Sequence, residues 1–202
     1  MKLVNYLLFS TVLFLVAPAF AGEPDPHAHH KKMMSSSSGY ERSVHGYELG
    51  GVPVMTAQGV ESTLESIMAG DKTVMVHFIF TTCTTICPVQ AATFAQVQTK
   101  LGEAASDVQM VSISIDPEYD TPSRLLDYSQ KFRAGPQWVF LTGTAADMIQ
   151  AQRVFNAYEG GKMNHKPLTL LRAAGTDEWV RLDGLVNASD IMNEYEALKA
   201  GS

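Results

Sequence analysis

Cysteine is nearly absent from this chain: 202 residues carry two. That excludes a disulfide-scaffold mini-protein and a four-cysteine zinc module. Charge is sparse as well, at 18% of residues, and its balance is −6. There is no basic excess to grip phosphates, so nucleic acid is not an expected partner. No internal repeat, Ser-His-Asp set, phosphate loop or haem motif is visible. What is plentiful is apolar side chain, at 46%. That is too much for a disordered protein, and the length suits one good core better than two.

The N-terminus reads as a targeting segment. Met1-Lys2 is a short positive start, Leu3 to Val16 is mostly apolar, and Pro18 precedes Ala19-Phe20-Ala21. The expectation is a signal peptide over 1–21, cleaved after Ala21. The apolar run is short for a membrane anchor, which needs about 20 residues. Either way the folded part lies outside the cytoplasm, in the periplasm, where disulfides persist. Residues 22–39 hold prolines, histidines, lysines and four consecutive serines. They have little to bury and read as a disordered tail.

Residues 40–202 then form one domain. Tyr47 to Met55, with Gly50-Gly51, suggests an N-terminal hairpin, and Glu61 to Met68 a short helix. Val74 to Phe80 is apolar throughout, as a strand covered on both faces should be. Pro88 to Leu101 is helical by pattern and stops at Gly102. Strands follow at Val108 to Ile115 and Trp138 to Leu141. Helices follow at Pro122 to Phe132, with Thr121 as N-cap, and at Thr144 to Tyr158. Leu168 to Leu171 and Glu178 to Leu182 pair around Gly175, and Ser189 to Lys199 is the last helix. This alternation predicts an α/β fold with a mixed central sheet and helices on both faces, in thioredoxin-like order.

The chemistry centres on Thr81-Thr82-Cys83-Thr84-Thr85-Ile86-Cys87-Pro88, where the first central strand gives way to a helix. Pro88 suits the first helical position, so Cys87 is expected at or just before the N-cap and Cys83 in the loop above the strand. A helix N-terminus lowers thiol pKa. The two thiolates can form a redox disulfide, or hold a soft metal with a third ligand. His45, His77 and His165 are the candidates. His77 lies inside the apolar strand and reads as a core histidine; His45 lies in a loop before the hairpin. His165 sits in Met163-Asn164-His165-Lys166-Pro167, on a loop that faces the cysteine turn in a thioredoxin-like fold. Cys83, Cys87 and His165 make a set suited to Cu(I), and to Cu(II) with an added ligand. Asp116, before Pro117 at a strand end, either orients a ligand or caps the turn.

These residues carry a resemblance. Cys-x-x-x-Cys-Pro after an apolar strand, Ser-Ile-Asp-Pro-x-x-Asp-Thr-Pro from Ser114 to Pro122, Trp138-x-Phe-Leu-Thr-Gly to Gly143, and a lone His before a late strand resemble the SCO/SenC family from about Tyr40 to Lys199. The resemblance implies a thioredoxin-like fold, copper on Cys83, Cys87 and His165, and Asp116 beside those ligands. It implies a copper metallochaperone, not an enzyme, that assists maturation of the CuA centre of cytochrome c oxidase. Its partners would be subunit II of that oxidase as client, a copper donor and a thiol reductant. Thr84 stands where the family usually has Pro, and Asn164 where it usually has Asp. The alternative function is a metal-independent thiol-disulfide oxidoreductase cycling Cys83 and Cys87. The tail adds His27, His29, His30, Met33 and Met34, imidazole and thioether donors suited to an auxiliary copper.

Overall fold

The computed structural model describes residues 39–201. The expected signal segment and the tail donors His27, His29, His30, Met33 and Met34 lie outside the described residues. Eight strands form one sheet: β1 (Tyr40–Gly46), β2 (Pro53–Thr56), β3 (Glu61–Thr63), β4 (Thr73–Ile79), β5 (Val108–Ser114), β6 (Trp138–Thr142), β7 (Leu168–Arg172) and β8 (Glu178–Gly184). Their order is β1-β8-β7-β4-β5-β6-β2-β3. β4, β5 and β6 run parallel, and β7 lies antiparallel on the other side of β4. The sheet is therefore mixed, as the sequence order predicts.

Five helices cover it: α1 (Leu64–Met68), α2 (Ile86–Leu101), α3 (Pro122–Lys131), α4 (Ala145–Val154) and α5 (Ala188–Ala200). Every residue of β4 is buried, and its side chains alternate between two cores. Met75 and Ile79 join Phe94 of α2, Leu125 of α3 and Ile191 of α5. Val74, Val76 and Phe78 join Leu64 of α1 and Met148 of α4. A strand buried on both faces has no polar side to show, which is why its sequence reads as one apolar run.

Helix starts follow local chemistry. Thr63, Thr144 and Asn187 accept hydrogen bonds from backbone N–H groups of the turns they cap. Pro122 occupies the first turn of α3 behind Thr121.

Several expectations are corrected. The hairpin does not lie at 47–55. It joins β2 to β3, and its turn carries Gly59 at φ +78°, with Gly59 N–H donating to the Thr56 carbonyl at 2.8 Å. Residues 47–52 instead link the edge strand β1 to β2, which lies across the sheet between β6 and β3, and Leu49 and Val52 are buried on the way. His45 is not in a loop: it belongs to β1, opposite Trp179 of β8, because an edge strand with alternating burial forms there. Residues 61–63 are strand rather than helix, and α4 ends at Val154 rather than Tyr158.

Candidate metal centre

The segment Thr81–Cys87 leaves the C-terminal end of β4 and enters α2. Thr85 is the N-cap, so Cys87 lies inside the first turn and not before it, and Pro88 follows within that turn. The first helical N–H groups need no intrahelical acceptor, so a proline there removes nothing. One of those free donors has a partner in this loop. The Cys87 N–H points at Cys83 Sγ, 3.5 Å away. Thr85 Oγ1 stands 3.7 Å from the same sulfur. The Cys83 N–H in turn donates to the Phe80 carbonyl at 3.1 Å, closing the loop on the strand.

The two thiols differ sharply. Burial pushes Cys83 up, but backbone N–H groups of Cys87 and Thr85 and their side chains outweigh it and hold the thiol at about 7. Cys87 is fully buried, and burial raises it to about 12; the Phe80 N–H offsets part of this, while Cys83 and Asp120 add to it. Cys83 is thus a half-exposed thiolate near neutral pH, and Cys87 gives up its proton only to a strong competitor such as a soft cation. Both cysteines are free thiols here.

His165 caps the short turn Lys162–Asn164 ahead of β7. Burial lowers its pKa, partly offset by the Phe78 carbonyl and Glu159. The ring is therefore neutral, bonded on one side to a carbonyl of β4. Its Nε2 is buried and has no hydrogen-bond partner. An orphaned imidazole nitrogen held by a second hydrogen bond is the form in which histidine ligates metals. The histidine loop and the cysteine loop thus meet at the same end of β4. They do not close on a point: among the described residues, no three His, Cys, Asp or Glu side chains are grouped to hold one ion. The structure brings Cys83 and Cys87 together and leaves His165 nearby on its own loop.

The other histidines serve elsewhere. His77 Nε2 lies 2.6 Å from Ser112 Oγ, and its ring stacks on Phe94 at 3.9 Å. Burial, reinforced by His165, lowers its pKa to about 3. It is a neutral core residue. His45 bonds Ser43 and stacks on Tyr47, three strands from β4.

Asp116 is almost buried and accepts a hydrogen bond from Lys162 Nζ at 2.5 Å. It ties the end of β5 to the histidine loop. Lys162 also lies over the Phe80 ring at 5.8 Å. Asn164 turns its amide to the Glu159 carbonyl, and Thr84 is exposed.

Two contributors escaped the sequence reading. Asp120 is fully buried and accepts from Thr81 N–H and Oγ1 and from Ser114 Oγ. It clamps the cysteine loop to β5, two residues ahead of Cys83. It stands in the same Asp-Pro-x-x-Asp segment as Asp116, so the pattern was visible and only its burial was not. Lys162 has no sequence signal, since it is one more lysine in a polar loop.

Comparison with known proteins bears on this arrangement. The family model described as SCO1/SenC matches residues 54–173. An SCO1 protein homolog of Bacillus subtilis is 33% identical over 105 residues, which are 52% of this chain and 53% of the relative. The chain thus spans about half the length of that relative, and less of several others. Among solved structures, BsSco, described as a member of the Sco family of cytochrome c oxidase assembly proteins with a disulfide switch, is 26% identical. It covers 78% of this chain and 96% of its own, at a TM-score of 0.63. Arabidopsis thaliana ScoI, solved with copper bound, has a TM-score of 0.62 over 74% of this chain and 96% of its own. At 22% identity that likeness concerns the fold.

Proposed function

The chain belongs to the SCO1/SenC family, and we propose that it is an exported copper metallochaperone that carries copper on Cys83, Cys87 and His165. The observation that carries the reading is the donor set at the end of β4. It combines a thiolate held at about 7, a buried partner thiol and an orphaned buried imidazole nitrogen. Two sulfurs and one nitrogen are soft donors, matched to Cu(I) and tolerant of Cu(II) with an added ligand. Copper bound to ScoI of Arabidopsis supports the metal, and the role given to BsSco supports an oxidase as the client.

In this reading copper meets Cys83 first, because it is the half-exposed, ionised sulfur. Copper then displaces the Cys87 proton, and the His165 loop swings its Nε2 in to complete the set. Asp116 steadies that loop through Lys162. The cargo passes to the CuA centre in subunit II of cytochrome c oxidase. A copper donor fills the site, and a thiol reductant keeps the two sulfurs from closing as a disulfide. Residues 1–21 direct the chain to the periplasm and are removed after Ala21; residues 22–39 form a copper-collecting tail; residues 40–202 are the chaperone domain. Among the described residues no helix is long and apolar enough to cross a membrane.

Anaerobic copper titration of the reduced protein tests the assignment. One tightly bound copper, strongly weakened in His165→Ala, is the expected result. Equally tight binding by His165→Ala would remove the histidine from the site, and no copper bound by the unaltered protein would leave the thiols as a redox pair, the oxidoreductase alternative.

A further inference from the structure

The sheet ends in β3, whose outer side pairs with no further strand among the described residues. The Thr56 N–H donates to the Val60 carbonyl and the Leu64 N–H to the Val52 carbonyl, each at 2.9 Å. In an antiparallel ladder, pairs that exchange hydrogen bonds alternate with pairs that do not. Val54 and Ser62 therefore bond each other, whereas Glu61, opposite Met55, turns its N–H and carbonyl away from β2. Those two groups face outward from the sheet edge, where another chain can pair with them.

A cavity of about 510 Å³ opens beside this edge. Pro53, Met55, Pro117 and Pro122 give it apolar walls, and Glu61 and Asp147 bring carboxylates. Among the described residues, no lysine, arginine or histidine lines it. Met55 pairs with Glu61 on one side and with Thr142 of β6 on the other. The three side chains thus stand in one row on one face of the sheet, and all three line the cavity. Asp147 is held in place by Thr144, whose Oγ1 donates to Asp147 Oδ2 at 2.6 Å. Glu61 is exposed.

The site offers a backbone donor and acceptor, apolar walls and two acids, and it has no base of its own. Proline and methionine surfaces accept the methylene stem of a lysine or arginine, and carboxylates accept its head. A strand laid antiparallel on β3 sets one side chain opposite Glu61, on the face of the cavity. A second copy of the chain pairing about Glu61 would set two carboxylates opposite each other, which disfavours it.

We propose that the β3 edge and this cavity dock a basic, extended segment of a partner protein. The segment adds as a strand to Glu61 and lays one lysine or arginine side chain over Met55 and the prolines toward Glu61 and Asp147. The site shares no lining residue with Cys83, Cys87 or His165, so it stands or falls apart from the chaperone reading.

Peptide binding to the full, isotope-labelled chain, reduced and copper-free, tests the site through amide chemical shifts. The probes are three capped pentapeptides, Thr-Val-X-Val-Thr, with X as Lys, norleucine or Glu. The Lys peptide should bind roughly tenfold more tightly than the Glu peptide at low salt, with norleucine between them, and the gap should narrow as salt rises. The shifted amides should lie in residues 53–63, 117–122 and 142–147. Methylating the backbone nitrogen of the lysine removes the N–H that meets the Glu61 carbonyl and should weaken binding severalfold. Glu61→Lys should reverse the order of the Lys and Glu peptides, and the milder Glu61→Gln should remove most of the preference, both with an unchanged urea midpoint. Equal binding of the three peptides, binding by none, shifts confined to other residues, a methylated peptide that binds as well as its parent, or an unaltered preference in Glu61→Gln would overturn the proposal.

Discussion

Lys162 and Asp116 form an ion pair at 2.5 Å that joins the end of a parallel strand to the loop carrying His165. Two residues separate Lys162 from His165, and the His165 N–H donates to the Lys162 carbonyl at 3.3 Å. Whatever moves one moves the other. The pair is partly exposed, so its worth to global stability is small. Its place makes it a tether for the loop that carries His165. Lys162→Met should cost at most about 1 kcal/mol of stability. It should lower copper affinity severalfold, with a changed Cu(II) visible spectrum as histidine ligation becomes partial. The exchange Asp116→Lys with Lys162→Asp should recover part of the loss. Unchanged affinity and spectrum in Lys162→Met would show that the loop needs no tether.

Asp120 holds the other loop. Asp120→Asn keeps the shape but turns one oxygen into a donor facing Thr81 and Ser114, which already donate. The expected cost is about 1–3 kcal/mol, read as a shift in urea midpoint. Alkylation of Cys83 should also lose its low midpoint, since the loop that sets it is released. A wild-type midpoint in a destabilised Asp120→Asn would restrict Asp120 to a structural role.

The thiol pair should report its asymmetry directly. In metal-free reduced protein, the rate of Cys83 carbamidomethylation should rise as pH increases through about 7, because the thiolate is the reactive form. Cys87 should stay unlabelled until unfolding. Mild oxidation should join the two in an intramolecular disulfide. That form should bind no copper at this site, as both states need the same sulfurs. Mass spectrometry after alkylation checks both points, and two labelled thiols after oxidation would rule the disulfide out.

His77 predicts an acid limb in the stability curve. Its folded pKa is lowered to about 3, below the roughly 6.5 of an unfolded histidine. Between those values the unfolded chain binds the extra proton. Stability contributed by the neutral ring is whole above pH 6.5 and falls as pH drops toward 3. His165, also lowered, acts in the same direction. His77→Gln should flatten the slope of unfolding free energy between pH 6.5 and 4, measured by urea denaturation. An equally steep slope would assign the acid sensitivity elsewhere.

The tail calls for a kinetic test. Removing residues 23–38 should slow copper loading of the core at limiting copper and leave its final affinity unchanged. A tethered donor set raises local copper concentration while its own binding is weakened by the ordering it needs. Capture should fade below about pH 6.5, where the tail histidines protonate. Equal loading rates at pH 7 would reduce the tail to a solvated linker.

The chain's local chemistry was legible before its fold. Apolar β4, Thr121 and Pro122 at the start of α3 and the Cys-x-x-x-Cys-Pro turn follow from period, propensity and steric rules that act over a few residues. So do the alternating order of strands and helices and the choice of His165 over His77, since a histidine inside an apolar run has nowhere to go but the core. What sequence could not reveal were contacts between distant segments. The 40–46 segment reads as loop because an edge strand exists only by pairing with β8, more than 130 residues on. The Gly50-Gly51 pair looks like a hairpin turn, but the strands flanking it, β1 and β2, do not pair, because five strands lie between them. Asp120 becomes a clamp only when β4 and β5 lie side by side, and Lys162 a tether only when its loop crosses the end of β5. Residue type and spacing settle which atoms can bind a soft metal; long-range pairing and burial decide which of them are ionised, which are held, and which are left without a partner.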